Sequence, residues 1–263
     1  MSNQKTISIQ QIYEHLLHAE QTKTAIKPLT NQYPNLTIHD AYQVQLRAIE
    51  QKVKDGHKVV GKKIGLTSFA MQELLGVDQP DYGHLLDSMS IPNKGSIDID
   101  SLFEPKVEGE IAFVLNKDLK GSHVTAEEVL SATEYIIPSL EIVDSRIHNW
   151  EIKLEDTVAD NASCGLYVLG DEKFNVSGLE LNKIEMSLYK NGELSNKGTG
   201  ADVLGHPAAC VAWLANKLFE YDVVLKAGEV ILSGALSAAV VAQKGDVFTA
   251  EFSKLGKVEI VFR

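Results

Sequence analysis

The chain has 263 residues, of which 44% are hydrophobic and 23% charged, a composition that excludes a disordered or fibrous polymer and suffices for one large domain or two small ones. A formal charge of -11 and an isoelectric point near 5.2 argue against a nucleic-acid-binding surface, which needs a basic patch or stripe. No segment reaches the apolar length of a membrane span, and the start MSNQKTISIQQ lacks the basic and apolar run of a secretory signal, so a cytoplasmic protein is expected. Cys164 and Cys210 are too few for a disulfide framework and lack zinc-motif spacing; they read as reduced, structural residues.

In chain order, Ile9, Ile12, Tyr13, Leu16 and Leu17 fall on one helix face over residues 8 to 22, with Ser8 as N-cap. A second amphipathic helix follows Thr37, where Asp40 completes a capping box and Ala41, Tyr42, Val44, Ala48 and Ile49 supply the apolar face. Pro28 and Pro34 mark the loop between them. The glycine-punctuated stretch Val59 to Gly83 predicts a short strand, a turn, a brief helix around Met71 to Leu75, and an irregular, mobile loop through GVDQPDYG. From residue 104 the pattern turns to strands: EGEIAFVL, SLEIVD, GLYVLG, IEMSLYK, EVILSG, VFTAEF and KVEIVF. Two helices interrupt them, one after Thr125 with Glu128 in a capping box, the other starting at Pro207. An N-terminal helical region, residues 1–55, thus precedes a strand-rich body, residues 56–263, which predicts an α+β fold rather than alternating βα units.

Glu108 and Glu110 stand two apart at the head of an apolar strand, so both carboxylates point to one face. Beside a core, two like charges need a cation or protons; a solvated edge is the bland alternative, and on this pattern alone the more frequent one. Glu141, inside the second apolar strand candidate IIPSLEIVDSR, is a third carboxylate that is awkward without a partner. Three carboxylates converging from two strands would be hard oxygen ligation suited to Mg2+ or Mn2+, whereas no histidine or cysteine has zinc-ligand spacing. Lys63, between an apolar strand and a glycine, is a candidate buried ammonium although a surface lysine is the commoner outcome; Lys62 reads as its solvent-facing neighbour. Asp81 and Asp78 fit turn positions, DTVADNASCG a structured loop, Cys164 a small buried side chain, and His206 a helix start.

The segments GKKIGLTS, GVDQPDYG, PKVEGEIAFVL, LEIVDSRI, DTVADNASCG, GHPAACVAWLANKL and GEVILSGAL, in this order, resemble those of the 2-hydroxypenta-2,4-dienoate (2-oxopent-4-enoate) hydratases of the fumarylacetoacetate hydrolase superfamily. The resemblance implies a twisted mixed β-roll core flanked by helices and a metal held by Glu108, Glu110 and Glu141. It implies Lys63 as acid/base residue assisted by Asp81, with Asp160 and Ser163 beside the substrate; Thr67 and Ser233, in glycine-containing turns, are candidates to bind the substrate carboxylate through hydroxyl or backbone groups. It further implies a small 2-oxo or 2-hydroxydienoic acid substrate from meta-cleavage of aromatics, and a ring-like homo-oligomer associated with 4-oxalocrotonate decarboxylase. The sister decarboxylases share the glutamates but usually carry an apolar residue where this chain has Asp81, and Lys62 also fits the hydratase pattern. DTVADNASCG resembles the short-chain hydratases more than those for the dicarboxylic heptenedioate. A catalytically silent partner subunit would be expected to lose a ligand or the lysine, and all are present.

Overall fold

The computed structural model describes residues 8–69, 72–73 and 76–263. Helix α1 (Ile9–Thr22) starts where the Ser8 hydroxyl accepts from Gln11 N, and α3 (Ile38–Lys54) starts at the reciprocal Thr37–Asp40 capping box. A single turn, α2 (Leu29–Gln32), lies between them. Helix α4 (Ala126–Ser131) begins at the Thr125–Glu128 box. Helix α5 (Leu154–Ala159) is followed by α6 (Pro207–Phe219), which has proline in its first turn and is capped by the His206 ring accepting from Ala208 N at 3.1 Å. Among the described residues no helix is long and apolar enough to cross a membrane.

The strands form two sheets. The larger contains β1 (Val59–Gly65), β2 (Asp81–Leu86), β3 (Ser90–Ile91), β5 (Lys106–Leu115), β6 (Thr133–Val143), β7 (Cys164–Leu169), β10 (Val230–Ala235) and β11 (Val240–Val241). Its order is β2-β1-β10-β5-β6-β7-β3, with β11 also on β5; β1 runs parallel to β10 and β3 to β7, the other pairs antiparallel. The smaller sheet, of β4 (Ser96–Ile97), β8 (Glu185–Lys190), β9 (Glu193–Thr199), β12 (Val247–Phe252) and β13 (Gly256–Phe262), has the order β4-β13-β12-β8-β9. Helices and mixed sheets together are the α+β architecture expected.

The core follows strand periodicity. Ile111 and Phe113 of β5 and Ile136, Leu140 and Ile142 of β6 share one face, and are buried in one cluster with Phe248, Ile260 and Phe262 of the smaller sheet. Ile12, Tyr13, Leu16, Tyr42 and Val44 of the N-terminal helices belong to the same cluster, and the Tyr42 ring stacks on Tyr82 of β2 at 4.6 Å between centroids. On the opposite face a small apolar cluster, Leu85, Ala112, Ile137, Cys164, Tyr167 and Leu232, forms the floor beside the polar groups described below.

Several expectations change. The end of GVDQPDYG is no irregular loop: Asp81 to Gly83 open β2, fully buried, because β2 pairs with β1 along its length. Of the brief helix expected around Met71 to Leu75, Gln72 and Glu73 are described and helical, and the remainder lies outside the described residues. Lys62 does not face solvent; it is buried, its Nζ 2.9 Å from Glu229 Oε1. Strand β9, ELSNKGT, carries no apolar alternation and forms because the Asn191-Gly192 turn folds it back on β8. Residues 156–159, expected as part of a loop, belong instead to α5, where Asp156 accepts from Lys153 N, Thr30 N and Thr30 Oγ1.

Candidate active site

In the antiparallel β5–β6 register Glu108 lies directly opposite Glu141, and Glu110 is two residues further along the same face. One carboxylate oxygen from each of the three lies within 4.8 Å of the others. Beside them the β10–β5 ladder shifts register between Leu232 and Ala235, and Gly234, at φ +109°, turns its N–H to donate to Glu110 Oε2 at 2.8 Å. A Cβ on Gly234 would sit 2.3 Å from Thr67 Oγ1, so glycine is what lets Thr67 close over this bulge.

Glu110 and Glu141 are fully buried and Glu108 is half-buried. Glu110 Oε1 and both oxygens of Glu141 have no hydrogen-bond partner, a costly state for carboxylates out of water. Burial first, then Glu141, pushes Glu108 up to about 7 despite the pull of Lys63, and burial with Glu141 and Glu108 raises Glu110 well above the usual range. The ionised forms of Glu108 and Glu110 therefore call for a compensating charge. A hard divalent cation fits the need: it favours all-oxygen ligation, and the orphaned oxygens supply it.

Lys63 Nζ lies 3.3 Å from Glu141 Oε1, an ion pair without hydrogen-bond geometry, and donates to the Ala162 carbonyl at 3.0 Å. Asp81 reaches the same place: a Cβ on Gly65 would lie 2.2 Å from Asp81 Oδ1 and 3.2 Å from Lys63 Nζ, so Gly65 leaves room for both groups. Asp81 Oδ1 is buried and unpartnered. Burial raises the Asp81 pKa, relieved by Lys63 and aggravated by Glu141. Burial works against the Lys63 charge, but Glu141 and Asp81 outweigh it and the pKa rises. The charged form of Lys63 is therefore the favoured one beside these carboxylates.

Lys63, Asp81, Glu108, Glu110 and Glu141 thus converge, with Thr67 against Gly234 at the edge. The Ser163 hydroxyl is within 3.2 Å of Thr157 Oγ1. Two side chains expected at the substrate are engaged elsewhere. Asp160 takes Arg146 Nε on Oδ1, and Arg146 N and Ser145 Oγ on Oδ2 at 3.0 and 3.2 Å. Ser233 Oγ donates to Ile111 O at 2.8 Å inside the sheet. Cys164 is a buried thiol pushed far up, by burial before Glu141, and Asp78 is exposed at a bend. Sequence reasoning passed over Gly65, Gly83, Arg146 and Asn161, all within or next to the quoted segments; their roles are set by partners distant in sequence.

Residues 80–263 match the family model described as fumarylacetoacetate (FAA) hydrolase C-terminal. The chain is 46% identical over 255 residues to the 2-hydroxyhexa-2,4-dienoate hydratase of Comamonas testosteroni, covering 96% of this chain and 95% of that one. It is 45% identical over 249 residues to the 2-keto-4-pentenoate hydratase of Paraburkholderia xenovorans (strain LB400), covering 95% and 93%. The structure of 4-oxalocrotonate decarboxylase from Pseudomonas putida G7, complexed with magnesium and adipate, superposes with a TM-score of 0.95 at 38% identity over 98% of this chain and 99% of that one. The chain belongs to the fumarylacetoacetate hydrolase family, in its hydratase and decarboxylase branch.

Proposed function

We propose that this protein is a divalent-metal-dependent hydro-lyase that adds water to 2-hydroxypenta-2,4-dienoate to give 4-hydroxy-2-oxopentanoate, within meta-cleavage catabolism of aromatic compounds. The observation that carries this reading is the convergence of three carboxylates, with oxygens left unpartnered, beside the Lys63 ammonium and the Asp81 carboxyl. Glu108, Glu110 and Glu141 would hold the ion, Mg2+ or Mn2+; the magnesium in the related decarboxylase structure supports the assignment. Such an ion supplies Lewis-acid chemistry and a chelating seat for the vicinal carboxylate and C2 oxygens of the substrate.

The chain's own groups handle the protons. In the overall change the C2 hydroxyl gives up a proton, C5 gains one, water places its oxygen on C4, and its remaining proton goes to C3. Asp81, with its raised pKa, keeps a proton at a pH where an exposed aspartate has lost it, and Lys63 is the charged donor beside it. The enclosure of both groups keeps bulk water from competing for these transfers. Asp81 also favours hydration over decarboxylation, because the decarboxylases resembled by this chain usually place an apolar residue there. The proposal extends to a cytoplasmic homo-oligomer associated with such a decarboxylase, which light scattering of the protein alone and mixed with that enzyme tests.

The activity is tested by incubating the protein with the dienoate and Mg2+, following the loss of its ultraviolet absorbance and identifying the product. Hydration without carbon dioxide release is expected; carbon dioxide from 2-oxo-3-hexenedioate, with the dienoate untouched, contradicts it.

A further inference from the structure

Asn161, Ala162 and Ser163 take φ values of +57°, +51° and +50° in succession. Non-glycine residues enter this left-handed region rarely, and a run of three persists only where surrounding contacts impose it. The turn is held at both ends. Arg146 donates through Nη2 to Asp160 O before it and through Nη1 to Cys164 O after it, at 3.1 Å for the latter, while Nε is paired with the Asp160 carboxylate. In the middle, the Asn161 carboxamide reads the free edge of β2 as a neighbouring strand would: Oδ1 accepts from His84 N at 2.8 Å and Nδ2 donates to His84 O at 3.0 Å.

Register explains what this achieves. Gly83 of β2 is the cross-strand partner of Lys63 in β1, and Gly65 is the partner of Asp81, so these four positions share one face. Gly83 has no side chain to occupy its side of the pair. The turn fills that space: a Cβ on Gly83 would lie 2.3 Å from Asn161 O. The next carbonyl, Ala162 O, thereby meets Lys63 Nζ at 3.0 Å, on an ammonium that also faces Glu141.

We propose that Asn161 is a positioning residue for Lys63: its carboxamide, docked on the edge of β2 over Gly83, holds the left-handed turn so that the Ala162 carbonyl fixes the lysine ammonium beside Glu141 and Asp81. This rests on the acid–base role given to Lys63 above. The Asn161 carboxamide is spent on His84 N and O, so its removal is expected to lower turnover without weakening substrate or metal binding.

The test is Asn161→Gly, which keeps a residue at ease in the left-handed region and deletes the carboxamide, with Gly83→Ala as a second variant that pushes the turn outward while leaving Asn161 intact. Each is expected to lose roughly tenfold to hundredfold in kcat, the scale of a misplaced reacting group, with KM and Mg2+ affinity unchanged. In the crystal structure of Asn161→Gly the Lys63 Nζ to Ala162 O separation is expected to exceed hydrogen-bonding reach, about 3.5 Å. Wild-type kcat in either folded variant, an unchanged separation, or a parallel loss of Mg2+ affinity overturns the proposal. Failure of both variants to fold overturns it too, since the turn would then be holding the fold rather than the lysine. Lys63→Ala run alongside separates the two claims: if it turns over normally the acid–base reading fails, and the separation in the Asn161→Gly structure still decides whether Asn161 positions the lysine.

Discussion

Strands β5 and β6 present opposite chemistry on their two faces. One face puts Ile111, Phe113, Ile136 and Leu140 into the apolar core shared with the smaller sheet, where every group is satisfied by packing. The other puts Glu108, Glu110 and Glu141 on the same two strands, with three of their oxygens buried and without a hydrogen bond. Alternation with a period of two makes this possible, and it separates the consequences of substitution. Changes on the core face are expected to cost stability and spare the chemistry, and changes on the carboxylate face to do the reverse.

The largest effect expected is on the carboxylate side. Lys63→Ala should lower kcat by roughly 10²- to 10⁴-fold, the range of a lost acid–base group, while Mg2+ and oxalate still bind in calorimetric titration; loss of both bindings would make Lys63 structural. Across the strand, Phe113→Ala should destabilise the fold by about 3–5 kcal/mol in urea melts, yet leave turnover per folded molecule unchanged. A large fall in that turnover would break the separation of the faces.

A third prediction concerns pH in the metal-free protein. The folded-state pKa of Glu108 stands at about 7 against an ordinary 4.5, so the stability it contributes is fully present below about 4.5 and is lost as pH rises through about 7. The melting temperature of metal-free protein should fall over that window; excess Mg2+ or Glu108→Gln should flatten the fall. A melting temperature that rises through the window in chelator would contradict the crowded-carboxylate picture. The smallest effect is expected at Ser233, whose hydroxyl is spent on Ile111 O. Ser233→Ala should cost about 1 kcal/mol of stability and change KM little, whereas a large rise in KM would restore this hydroxyl to the substrate.

The legible parts of the molecule are those whose signal is local. Ser8, the Thr37–Asp40 and Thr125–Glu128 boxes and Pro207 announce their helices because a cap is written within four residues. The shared face of Glu108 and Glu110 follows from spacing, although the choice between a solvated edge and a metal site needed Glu141, and their meeting is a matter of register. What stayed hidden depends on distant partners. Lys62 is buried because Glu229 is there to receive it, the Asp160 carboxylate is taken up by Arg146, and Asp81 lies in a strand because β1 pairs with it. The bulge that aims Gly234 N–H at Glu110 is a one-residue register shift, which no periodicity in EVILSG reveals.

The central claim is that the three glutamates bind a divalent ion on which the activity depends. Calorimetric titration of Mg2+ into the metal-free wild type and Glu108→Gln proteins, with folding of both verified by circular dichroism, tests it most directly. The account predicts one ion per chain for the wild type and binding weakened at least about tenfold, the cost of a lost ligand charge, in the variant. Equal binding by both proteins, with turnover unchanged in metal-buffered assays, would contradict it.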